Sequence, residues 1–80
     1  MTARVQIIEL VAAALETSVE ELNPDSSPDT IETWDSSRHL NMVVALEDAF
    51  GIEISDEQVF NMLTLEAVVT TVLGLTGEKE

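Results

Sequence analysis

The sequence predicts an all-α domain, a small four-helix bundle of three main helices and one short one, with a long first loop. Three observations carry this. Apolar residues recur at spacings of three and four over most of the chain, apart from one stretch between 17 and 34. Polar capping residues and glycines fall where such helices would begin and end. No second run is available to pair with the only segment that prefers a strand.

At 80 residues the chain makes a single domain with one thin core, expected over 1–80. Its 45% hydrophobic content is that of a folded protein. The first helix is expected over 2–16, with Thr2 as cap and Val5, Ile8, Val11, Ala12 and Leu15 at helical spacing. Ala12, Ala13 and Ala14 give it the strongest intrinsic propensity in the chain.

Residues 17–34 have no period and contain Pro24, Pro28 and a series of acids. Ser18 and Glu21 have the spacing of a capping box around a brief turn. Leu22 and Ile31 are isolated apolar residues expected to pin the loop across the helices. Loops of this length in small domains usually serve a function or are disordered, and the two anchors disfavour disorder. A calcium loop starting at Asp25 would need Gly and Glu where Thr30 and Ser36 stand, so no defined metal site is expected, only weak divalent binding by clustered carboxylates.

The second helix is expected over 35–50. Asp35 is a preferred N-cap whose charge suits the positive end of the helix dipole. His39, Val43, Leu46 and Phe50 form one stripe, and Gly51 can take the left-handed conformation that stops a helix. Leu40 and Val44, on a neighbouring stripe, supply more apolar surface than one core needs. Trp34, just before the helix, either staples the loop to it or offers a contact to a partner. Ile52–Ile54 reads as a short extended link.

Ser55 and Gln58 have the capping-box form and open a short helix, expected over 55–62, that carries Val59, Phe60 and Met62. Thr64 caps the last helix, expected over 64–75, with Leu65, Val68, Val69, Val72 and Leu73 at helical spacing. The β-branched run Val68–Val72 prefers a strand locally. The nine-position period outweighs that preference. Gly74 and Gly77 are expected to end the helix, with a frayed tail beyond.

Sixteen acidic residues against three basic ones give a net charge of −13. Such a domain repels nucleic acid and anionic membrane surfaces, and partners are expected to present Lys and Arg. Cysteine is absent, which excludes disulfides, thiolate metal sites and a cysteine nucleophile. No apolar run is long enough for a bilayer, and Met1–Arg4 does not lead into a signal-peptide pattern. A cytoplasmic monomer that does not insert into membranes is the expectation.

Ser36 and His39 lie one helical turn apart beside Asp35, which raises the question of a hydrolase triad. No Gly-x-Ser-x-Gly elbow is present, and His39 falls on the core stripe, so catalysis is disfavoured. A serine in the first turn of a helix is, in contrast, exposed where backbone amides favour a phosphate. Asp-Ser alone is also ordinary capping chemistry.

The context of that dipeptide is specific. Asp35-Ser36, followed by Val43-Val44-Ala45-Leu46-Glu47-Asp48-Ala49-Phe50-Gly51-Ile52-Glu53-Ile54, closely resembles the acyl carrier protein family, and the resemblance extends over essentially the whole chain. It implies that Ser36 carries 4′-phosphopantetheine, transferred from coenzyme A by a phosphopantetheinyl transferase. The protein would then hold acyl intermediates as thioesters and present them to loading and transferring enzymes with basic surfaces. It would catalyse nothing itself. Carried over by position, the partner-binding face comprises Asp35, Val44, Glu47, Asp48, Ile54 and Asp56, and the bundle interior can shelter a bound chain. Thr33 stands where the family commonly has Gly, Ser37 where it has Leu, and Arg38, His39 and Asn41 where fatty acid carriers are mostly acidic or neutral. These departures point to a specialised lipid, polyketide or other secondary pathway. The alternative is an unmodified acidic protein-binding module with the same fold.

Overall fold

The computed structural model describes residues 3–77. The expected Thr2 cap and the tail at 78–80 lie outside them. The described residues form helices α1 (Ala3–Ala14), α2 (Ser36–Phe50), α3 (Asp56–Asn61) and α4 (Leu65–Thr76), with a 3₁₀ turn at Val19–Glu21 and no strand. The architecture is the expected helical bundle. Helix α1 packs against α2 and α4, while α3 lies apart from that tight contact.

Helix α1 buries Ile7, Val11 and Ala12, and Leu15 just beyond its end, and leaves Val5 exposed. The expected stripe holds at Ile8, Val11, Ala12 and Leu15, but Ile7 takes the inner place at its start and Val5 does not. Val5, Ile7, Ile8, Leu10 and Val11 are apolar nearly all round the helix, so period alone could not select the inner face. After Leu15, Glu16 takes a left-handed φ of 57°, its amide bonds to the Ala13 carbonyl, and Thr17 N–H reaches Ala12 O at 2.9 Å. This is a Schellman stop with Glu where Gly is usual.

The long loop is held by the core and by α4. Ile31 is buried and Leu22 packs against the same cluster, as expected of two anchors. Ser18 precedes the 3₁₀ turn but makes no side-chain cap bond, contrary to the capping box read from its spacing with Glu21. Further along, the Ser26 carbonyl accepts from Leu65 N–H and the Pro24 carbonyl from Glu66 N–H. With the Thr64 hydroxyl accepting from Ala67 N–H, these carbonyls satisfy the orphan amides that begin α4. The loop is thus a fixed part of the bundle.

In α4, Leu65, Val68, Val69 and Val72 are all buried, so packing overrides the local strand preference of the valines. The helix runs through Gly74 and stops at Gly77, which has φ 73°. Of the two glycines expected to end it, Gly74 stays within the helix and Gly77 is the stop. Helix α2 stops where expected, with Gly51 at φ 63°.

Candidate functional site

Helix α2 begins at Ser36, immediately after its cap. Asp35 is extended, and its Oδ1 accepts from Arg38 N–H at 2.9 Å. The Arg38 amide, and then the Arg38 guanidinium, hold the Asp35 carboxyl below its usual range. That guanidinium donates from Nη1 to Asp35 Oδ2 and from Nε to Glu16 Oε2, each at 2.8 Å. The Glu16 carboxylate, first, and Asp35 raise the Arg38 pKa above its ordinary value. The left-handed Glu16 at the end of α1 is therefore joined to the start of α2 through one arginine.

Ser36 is exposed at the first helical position. The amides of the first turn have no acceptor within the helix, and the Asp35 carboxylate takes only that of Arg38. Those of Ser36 and Ser37 are left for an oxyanion, a favourable arrangement for phosphate. Asp35 works against such a group, and the paired Arg38 offsets part of that repulsion.

His39 follows one turn later. Its Nδ1 accepts from Trp34 Nε1–H at 2.9 Å, and the two rings stack with centroids 6.1 Å apart. Indole nitrogen can only donate, so the histidine proton sits on Nε2, which donates to the Val59 carbonyl at 2.9 Å. Both ring nitrogens are committed, and His39 does not serve Ser36 as a base. Trp34 is only 3% exposed, which makes it a staple and not a partner contact.

Beside Ser36 opens a groove of about 660 Å³ between α2 and α3, lined also by Pro28, Trp34, Asp35, His39, Leu40, Asp56, Val59, Phe60 and Leu63. Its rim is strongly apolar. Phe60 is 77% exposed, Leu63 58% and Leu40 56%. An exposed hydroxyl at a helix start, free amides around it and an adjoining apolar groove with polar edges fit a phosphodiester followed by an arm of mixed polarity. Among the described residues no cluster of three or more His, Asp or Glu side chains is placed to hold a metal ion.

Of the residues expected to meet partners, Asp35, Val44, Asp48 and Asp56 are exposed. Glu47 is half-buried, and its carboxylate accepts from Ile54 N–H at 2.9 Å. Ile54 is buried in the core, which corrects its placement on an open contact face. The link at 52–54 folds back under α2, and this turns Ile54 inward. Sequence reasoning also missed the Glu16–Arg38–Asp35 chain and the exposure of Phe60 and Leu63. Helix α3 has six residues, too few for a period to reveal which side faces solvent.

An exposed serine at a helix start, beside an open apolar groove, is the centre of the candidate site. Residues 5–72 match the phosphopantetheine attachment site family, and the chain belongs to it. An acyl carrier protein of Streptomyces coelicolor (strain ATCC BAA-471 / A3(2) / M145) is 36% identical over 64 residues, which cover 79% of this chain and 70% of that protein. The protein is accordingly a non-catalytic carrier of the acyl carrier type, whose cofactor is covalent 4′-phosphopantetheine.

Proposed function

We propose that Ser36 is the attachment point, modified by a separate phosphopantetheinyl transferase with coenzyme A as donor. The observation that carries this reading is the position of Ser36, exposed at the first turn of α2 and on the wall of the apolar groove. Ser37 is also exposed but does not line the groove. The free amides at the start of α2 stabilise the phosphodiester, and Arg38 moderates the charge of Asp35 beside it. When bound, the cofactor supplies a thiol that holds acyl groups as thioesters, chemistry for which this chain has no cysteine of its own.

The exposed members of the expected contact face, Asp35, Val44, Asp48 and Asp56, with Glu47 at its edge, present carboxylates around a small apolar patch. A face of this kind recruits basic client enzymes, at rates that fall as salt rises. The carrier works as a cytoplasmic monomer in a specialised pathway, with Arg38 and His39 as its departures from the fatty acid carriers. Intact mass after incubation with coenzyme A, Mg²⁺ and a broad-specificity transferase tests this. One phosphopantetheine is expected on the wild type and none on Ser36→Ala. No addition to the wild type by several transferases would replace this reading with that of an unmodified acidic binding module.

A further inference from the structure

We propose that His39 is a bolt across the seam between α2 and α3, closing the bundle interior to a group tethered at Ser36. The carrier then holds its cargo outside, against the apolar shelf of Leu40, Val59, Phe60 and Leu63, and suits short or polar acyl groups in preference to long alkyl chains. This rests on Ser36 as the attachment point.

The bolt joins three separate elements. Trp34 ends the loop, His39 belongs to α2, and Val59 lies in α3. Its hydrogen bonds, Trp34 Nε1–H to His39 Nδ1 and His39 Nε2–H to Val59 O, are both 2.9 Å. The Val59 carbonyl lies in the last turn of a short helix, where carbonyls lack full partners. Met62 N–H approaches it only at 3.4 Å, and Leu63 N–H bonds instead to Asn61 O. His39 supplies the shorter bond.

Behind the bolt lie buried side chains. Trp34, Met42 and Met62 fill the interior at 3%, 0% and 0% exposure. No residue of α3 is fully buried, so this helix resists displacement through its polar ties, through Val59 half-buried against the core and through Met62 just beyond its end. Inserting a chain would part His39 from Val59 and leave the imidazole Nε2–H without an acceptor in an apolar setting, a loss with no replacement. The groove outside is open and covers an alkyl chain on one side only. A long chain gains little there, whereas a short or polar group loses little.

The test loads acetyl or octanoyl phosphopantetheine onto the full chain and verifies loading by mass. It then follows thermal unfolding and amide exchange at Met42, Val43, Leu46 and Met62. Wild type is expected to melt within about 2 °C in the two forms, with equal protection of those amides. His39→Ala should melt lower with acetyl and regain stability with octanoyl. His39→Gln, whose amide nitrogen can take the place of Nε2, should behave as wild type. Trp34→Phe, which keeps the packing but removes the indole donor, should fall between them. If wild type gains several degrees with octanoyl and its core amides change protection, the bolt does not exist, although the attachment reading stands. Absence of any Ser36 adduct would overturn both.

Discussion

Helices α3 and α4 are neighbours in the chain, and both open with a hydroxyl cap, yet different forces hold them. Helix α4 buries four side chains, and its first amides are satisfied by the loop. Helix α3 buries none fully, and relies on its capping box, the His39–Val59 bond, the half-buried Val59 side chain and Met62 at its exit. Apolar burial is cooperative and hard to undo, while a few polar bonds can be broken singly. The scaffold of α1, α2 and α4 therefore keeps Ser36 in place, and the adjustable wall of the groove is α3.

Substitutions can break this contrast at its ends. Leu46→Ala, in the scaffold, should cost about 2–5 kcal/mol in chemical denaturation. Phe60→Ala, on the exposed shelf, should change stability by less than about 0.5 kcal/mol. Similar losses at both positions would mean that α3 is packed as tightly as α4. His39→Ala comes next, at about 1–3 kcal/mol, because it leaves the indole N–H and the Val59 carbonyl unsatisfied. Exchange at the α3 amides should rise more than at those of α4. Equal acceleration in both helices would contradict a bolt that acts on α3.

A smaller effect belongs to the capping box, where Ser55 Oγ accepts from Gln58 N–H and Gln58 Oε1 accepts from Ser55 N–H. Ser55→Ala should cost about 1 kcal/mol and, again, loosen α3 first. Finest of all is the charge on Asp35. Its folded pKa lies below the ordinary value of 3.8, so the stabilisation is present above that value and lost as pH falls through the lowered one. Asn also caps helices well, so Asp35→Asn isolates the charge. Melting curves of the two proteins should differ at neutral pH and converge in acid below 3.8. A gap that stays constant into strong acid would remove Asp35 from the account.

Much of the fold was legible because the strong signals coincide. Asp35, Gly51, Ser55 and Thr64 mark boundaries by chemistry that is local in sequence, and the structure uses each in that role. The period through Val68, Val69 and Val72 correctly outweighed their β-branched preference. What failed was orientation. At the start of α1, apolar residues on nearly every side hid that Ile7 and not Val5 faces inward, and Ile54 was placed on an open face by position alone. Ser36, the proposed attachment point, was legible as a helix-start hydroxyl within a specific sequence context. Its surroundings were not, because Arg38 to Glu16 spans 22 positions and His39 to Val59 spans 20. Such pairings are decided by how helices meet, and no local pattern encodes them.

The most direct test of the carrier assignment is the location of the modification within Ser36-Ser37. Tandem mass spectrometry of the modified peptide should place one phosphopantetheine on Ser36. The adduct should persist in Ser37→Ala and vanish in Ser36→Ala. An adduct on Ser37, or one that survives Ser36→Ala, would contradict the central role of the first residue of α2.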